Sequence, residues 1–158
     1  MRRKDRQITS EETITDILQR AEVIRIGLYD GEEPYIVPMN YGFVKTEKGF
    51  EFYMHCAQEG RKIEIIRENP KVCFEIDIDH ELKSAPKACG WTMTFKSLMG
   101  TGTISILDGN DDKKTGLGIV MDHYNPEGYG KPYDFSGLID RTTILKLESH
   151  SLFCKVKS

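Results

Sequence analysis

The residues of this chain whose types and spacing point most directly to chemistry are Gly60, Arg61 and Lys62. They stand between a strand-like run ending near Cys56 and a helix-like run carrying Ile63, Ile65 and Ile66. The first turn of a helix leaves backbone N–H groups without intrahelical partners, and its dipole favours anions. Two cations there weaken the helix start but make a good receptor for a phosphate group. Ala57, Gly60, Arg61 and Lys62, with the Ser97 hydroxyl as a further donor, are therefore a candidate anion site. The pattern alone serves a bound phosphate and a solvated helix start equally well.

Other groups are weaker. His55 and Cys56 are neighbours on a strand, so their side chains point to opposite faces and do not make a nucleophile–base pair. His55 by itself is available as a general acid. Asp77, Asp79, His80 and Glu81 read as an exposed acidic strand end rather than a metal site, with alternation placing Asp77 and Asp79 on one face. Gly100-Thr101-Gly102-Thr103 lacks both the third glycine and the following helix of a dinucleotide loop, so its glycines read as a bend in a barrel strand. Tyr124, Tyr129, Tyr133 and Phe135 cluster in a glycine–proline loop and suggest a lid or an interface patch.

The elements that must position these groups follow from periodicity. Thr9 and Glu12 have capping-box spacing before a helix over residues 10–20. Strands are expected over 23–29 and 35–44, the second weakened by Pro38, which marks an edge or a break. Phe50, Phe52 and Met54 alternate with polar residues in a third strand, and the central helix ends at Asn69-Pro70. Residues 71–79 and 91–107 are further strands separated by a loop over 80–90. Residues 113–124 read as a helix, and 142–147 with 152–156 as a closing hairpin across Glu148-Ser149-His150-Ser151. Many short strands and few helices predict a small antiparallel barrel in one domain.

Composition narrows the function classes. The chain has 158 residues and a net charge of −3, which gives no footprint for nucleic acid. The charged start, residues 1–6, is followed by no apolar stretch, and no run is long enough to span a bilayer. A solvated N-terminal arm and a cytoplasmic setting are the expectation. Cys56, Cys73, Cys89 and Cys154 are widely spaced without a CxxC pair, which argues for small apolar fillers over metal ligation or a disulfide framework.

The run FYMHCAQEGRKIEIIRENPKVCFEID, preceded by PYIVPMNYGF and followed by CGWTMTFKSLMGTGTI, resembles the flavin-binding split-barrel superfamily related to pyridoxamine 5′-phosphate oxidase. Within it the similarity is to the nitroimidazole-resistance-protein type, from about residue 3 to residue 156. The resemblance implies a mainly β fold, a six-stranded antiparallel split β-barrel with a few flanking helices. It implies a homodimer with FMN between the subunits. By position, Arg61, Lys62 and Ser97 would hold the FMN phosphate. Pro38, Met39, Asn40 and Tyr41 would flank the isoalloxazine, with His55, Cys56 and Ala57 close to it and Trp91 reaching across the interface. The implied activity passes electrons from a nicotinamide donor to a small acceptor such as a nitro-aromatic, with His55 delivering protons and Tyr41 stacking or positioning. A flavin-storing protein without turnover, and relatives using haem or F420, are the alternatives. No arginine follows Arg141. A true pyridoxamine-phosphate oxidase carries arginine and histidine in its C-terminal segment, so this end of the chain argues against vitamin B6 oxidation.

Overall fold

The computed structural model describes residues 6–128 and 132–158. The first five residues of the N-terminal arm and Tyr129 lie outside them. In chain order the elements are β1 (Gln7–Ile8), α1 (Glu11–Arg20), β2 (Ile24–Tyr29), β3 (Pro34–Met39), β4 (Tyr41–Thr46) and β5 (Gly49–Cys56). There follow α2 (Arg61–Glu68), β6 (Lys71–Lys83), β7 (Thr92–Leu107), α3 (Asn110–Tyr124) and β8 (Thr143–Lys157), with 3-10 turns at Ala88–Gly90 before β7 and at Ile139–Arg141 before β8. The strands form one antiparallel sheet in the order β3-β2-β6-β7-β8-β5-β4, and β1 pairs with β8. The two ends of that path, β3 and β4, are consecutive in the chain and separated only by Asn40. The sheet must therefore curl until its ends meet, which gives the expected split barrel.

Eight strands stand where the barrel was expected to have six: relative to the segments expected by periodicity, β1 is added, one segment divides and the last two fuse. The segment expected over 35–44 divides at Asn40, two residues after Pro38, and Pro38 lies on the outermost strand as a ladder-breaking proline should. The expected closing hairpin does not form. Residues 143–157 make one strand paired with β7 from Leu107↔Ile144 to Phe95↔Lys157. The polar run that looked like a turn holds a bulge instead, with a register shift opposite Thr101 and Gly102. Ser149 fixes it, its hydroxyl accepting from Phe50 N at 3.1 Å and donating to Phe50 O at 2.7 Å. At Gly100 a Cβ would stand 2.3 Å from both Phe74 Cζ and Ser151 O, so the bend in β7 is a close crossing that only glycine fits.

Helix boundaries shift by a few residues. The cap of α1 is Ser10, whose hydroxyl accepts from Thr13 N at 3.4 Å, rather than a Thr9–Glu12 box. Residue 9 directly follows β1 and is too early to cap. β6 runs four residues beyond its expected end at Asp79. Asp79 has φ 59, which turns the strand at a register shift between Ile78 and Glu81 and breaks the alternation expected of Asp77 and Asp79. Both acids are paired: Asp77 with Arg25 and His80, Asp79 with Arg20 and Lys96.

The barrel interior is filled by alternate strand residues, among them Ile24, Ile26, Phe52, Met54, Ile76, Leu98 and Leu145, with Ile17 and Leu18 of α1 and Ile63 of α2 closing over them. Their removal from water is the main stabilising contribution. Of the cysteines, Cys154 is in this core but Cys73 and Cys89 are exposed, so the filler reading fails for those two. No helix among the described residues is long and apolar enough to cross a membrane.

Helix α3 packs on β4 and β5 from outside the barrel, and two glycines let it approach. A Cβ on Gly42 would lie 2.2 Å from Ile119 O, against helix backbone that has no rotamer to yield. Gly42→Ala should lower stability by about 1–3 kcal/mol, the usual scale for overpacking, read as a lower denaturant midpoint at unchanged slope. A neutral effect would mean that α3 does not sit this close to β4.

Candidate functional site

The end of β3, the single-residue link at Asn40, the end of β5, the start of α2 and the segment leading into β8 enclose a cavity of about 420 Å³. Pro38, Met39 and Asn40 form one wall, and His55, Cys56 and Ala57 another. Lys62 enters from the first turn of α2, and Arg141 with Thr142 from the residues before β8. The volume lies within the range of about 300–1,000 Å³ usual for small-molecule sites. The lining joins apolar surface to two cations and contains no carboxylate.

Seven of the residues expected at a cofactor site thus meet in one place. Lys62 lies deep enough for its charge to act on the Cys56 thiol, whose pKa is raised by burial and drawn back partway by that ammonium. Cys56 is therefore a protonated thiol near neutral pH, not a nucleophile. His55 and Cys56 both line the cavity although they alternate on the strand, because the cavity wraps around the strand end. Gly60, at φ 122, caps α2 without a side-chain bond, leaving the first-turn amides of Arg61 and Lys62 outside the helix ladder.

Four expected residues stand elsewhere. The Tyr41 ring is completely buried, and its hydroxyl donates to Leu18 O at 2.7 Å. Burial pushes the phenol far above its usual range, with the nearby Tyr124 hydroxyl adding to the rise. Its ring faces the core and is closed off from the cavity, contrary to the stacking expectation. Arg61 turns away to Asp30 at 2.8 Å and Glu33 at 2.7 Å and lies 4.7 Å over the Tyr35 ring. The Arg61 guanidinium, helped by the Glu33 and Glu32 amides, holds the Asp30 carboxyl far below the usual carboxylate range. Ser97, paired in register with Asp77 and Lys155, is outside the cavity lining. Trp91 is half exposed on the β6–β7 connection, its indole donating to Ala85 O at 2.8 Å.

Arg141 and Thr142 were not anticipated. Their position is set by the fold: Gln58 Nε2 donates to Asp140 O at 2.7 Å and ties the β5–α2 loop to the 3-10 turn. Nothing in local periodicity brings a residue before the last strand to a loop after the fifth. Tyr124 was expected in a lid or patch and is instead a fastener. Its hydroxyl accepts from Asn40 Nδ2 at 3.1 Å and Tyr41 N at 3.0 Å, and donates to Glu22 O at 2.5 Å. Tyr133 bonds Asp122, and Phe135 packs on the small cluster of Leu117, Ile139 and Ile144. Next to Tyr124, His123 donates from Nε2 to Ala21 O at 2.8 Å, between the rings of Tyr41 and Tyr124, and burial lowers its pKa.

Residues 10–154 match the sequence profile of the family described as Pyridoxamine 5′-phosphate oxidase. No curated protein sequence matches the chain. Among solved structures, a candidate 5-nitroimidazole antibiotic resistance protein from Bacteroides thetaiotaomicron is 27% identical with TM-score 0.79, over 95% of this chain and 86% of that one. The flavocytochrome Anf3 from Azotobacter vinelandii is 20% identical with TM-score 0.80, over 100% of this chain and 72% of that one. An FAD- and heme-binding protein from Mycobacterium smegmatis is 16% identical with TM-score 0.78, over 97% and 74%. The last two similarities speak for the fold.

Two outcomes test this local architecture. Tyr124→Phe should cost about 1 kcal/mol of stability, the scale of a lost hydrogen bond, and should speed amide exchange at Tyr41. An exchange rate like wild type would remove Tyr124 from the link. His123 is harder to protonate folded than unfolded, so stability should be full above its ordinary value of about 6.5 and fall as pH drops below it. His123→Gln should flatten that part of the denaturant-midpoint profile; an unchanged slope would reassign it to other groups.

Proposed function

The chain belongs to the pyridoxamine 5′-phosphate oxidase family, and from that premise we propose that it is an FMN-binding flavoprotein that passes electrons from a nicotinamide donor to a small acceptor such as a nitro-aromatic. The observation that carries the reading is the cavity where β3, β5, α2 and the approach to β8 meet, lined by Pro38, Met39 and Ala57 together with polar groups and two cations. That donor set fits a flavin nucleotide, whose ring is largely apolar and whose tail is anionic. The flavin would supply the redox chemistry. The chain would bind the tail through Lys62, bury one edge of the ring against Pro38 and Met39, and hold a proton on the His55 imidazole. The Asn40 amide, fixed by Tyr124 and by Glu22 O at 3.2 Å, would stand at the cavity edge in one orientation. The 27% identity to a candidate nitroimidazole-resistance protein supports the acceptor class. Four cysteines without a disulfide support a reducing, cytoplasmic setting.

A homodimer is part of the proposal. Tyr29, Ile36, Met99 and Phe153 are exposed on the outer face of β2, β3, β7 and β8, Met99 and Phe153 directly opposite one another. A groove of about 560 Å³ runs along this face. The outward residues of β3 lead from it, through Pro34 and Ile36, to Pro38 at the cavity. A second copy covering the apolar face would thus border the cavity and shield a bound ring.

Anaerobic mixing of the FMN-loaded protein with NADH or NADPH should bleach the flavin band, and a nitro-aromatic should restore it. Tight FMN binding with no bleaching by either nucleotide would leave flavin storage in place of turnover. Ile36→Glu with Met99→Glu should give monomers in sedimentation and weaken FMN binding at least tenfold. Dimers that persist would assign the contact to another face.

A further inference from the structure

We propose that the cavity bordered by α1, β4 and the last turns of α3 is a second ligand site, selective for small aromatic cations. It measures about 530 Å³ and shares no lining residue with the cavity at Asn40 and Lys62. Gln19 borders it from α1, Phe43 and Val44 from β4, and Ile119, Asp122 and His123 from α3. Phe43, Val44 and Ile119 supply apolar surface. The Phe43 and His123 rings meet edge to face, 6.1 Å between centroids at an interplanar angle of 71°, a corner that suits a flat ring. No lysine or arginine is in this lining, so its charge is the reverse of the other cavity's.

The polar groups of His123 and Asp122 are acceptors. His123 Nε2 donates to Ala21 O at 2.8 Å, which fixes the tautomer and leaves Nδ1 with a lone pair and no hydrogen bond among the described residues. Burial lowers the pKa of the ring and keeps it neutral near neutral pH. Asp122 is an acid in the last turn of a helix, the end at which the dipole and the unpaired carbonyls favour a cation. Its Oδ1 accepts from the Tyr133 hydroxyl at 2.8 Å, and it has no ion-pair partner among the described residues. A carboxylate held against the helix dipole without a counterion is unfavourable by itself, and a bound cation would offset that. An ammonium or amidinium on a flat ring can donate to Asp122 and to His123 Nδ1, the charge-assisted bond to the carboxylate being the stronger. A carboxylate or phosphate ligand would meet a like charge and, among the lining side chains, a donor only in the Gln19 amide.

The test titrates the full chain, without added flavin, with benzamidine and with its uncharged analogue benzamide, following the Val44 and Ile119 methyl resonances. Benzamidine should shift both resonances saturably and bind at least tenfold more tightly than benzamide. Asp122→Asn keeps the shape and an acceptor for Tyr133 at an exposed position, so its thermal midpoint should stay level. It should weaken benzamidine at least fivefold and benzamide less than twofold. Gln19→Trp, at an exposed position of α1, should fill the mouth of the cavity and block both probes. The site is overturned if benzamidine gives no saturable shift at Val44 and Ile119, or if the two probes bind equally. Benzamidine binding undiminished in Asp122→Asn or in Gln19→Trp overturns it as well. With FMN absent throughout, none of these outcomes depends on whether the chain binds flavin.

Discussion

The closure of the barrel through Asn40 is the constraint on which the rest depends. The two edge strands, which do not pair with each other, are joined by one residue, too short to form a conventional hairpin loop. The Tyr124 hydroxyl takes up the polar groups that this link would leave free, the Tyr41 amide and the Asn40 carboxamide, and returns its own proton to Glu22 O. The helix bearing Tyr124 lies close enough to do this because Gly42 and Gly116 have no side chain between helix and sheet. The cavity wall at Pro38–Asn40 is thus a consequence of how the sheet ends are joined. The site inherits its rigidity from the fold's closure.

Charge is distributed along the same logic. Acidic side chains pair with Arg20, Arg25, Arg61, Lys96 and Lys146 on the barrel's outside, mostly at half-exposed positions where each pair contributes little by itself. Their effect is on the pattern of potential. They occupy cations that would otherwise compete for an anion, whereas Lys62 and Arg141 at the cavity have no ion-pair partner among the described residues. Arg61 is the clearest case, since the Asp30–Glu33 turn withdraws it from the helix start where the sequence puts it.

Much of this was legible in the sequence. Alternation in residues 50–55 and 71–79, the breaker at Asn69-Pro70 and the cations after Gly60 located the strands and helix that carry one side of the cavity. The resemblance carried Pro38–Asn40 and His55–Ala57 to the same place. What could not be read depends on contacts between distant segments. Glu148–Ser151 has the composition of a turn, and only the Ser149 bonds to Phe50 make it a bulge. Tyr41 alternates like a surface-capable aromatic, and only the packing of α1 over it, with Leu18 O in reach, draws it inside. Arg141 has no local signal at all, because its place is set by Gln58 across the fold.

These misreadings share a cause that bears on the site itself. Local patterns report which face of an element is apolar, whereas binding capacity depends on which polar groups remain unsatisfied after folding. Arg61 and Lys62 are adjacent and nearly indistinguishable in sequence, yet two carboxylates consume one and leave the other. A cation already hydrogen-bonded to carboxylates gains little from a phosphate, because the new bond replaces an equivalent one. An unpaired cation gains the whole difference between water and ligand. At the junction of β3, β5, α2 and β8 the cation left unpaired is Lys62, and the one consumed, Arg61, is outside the lining.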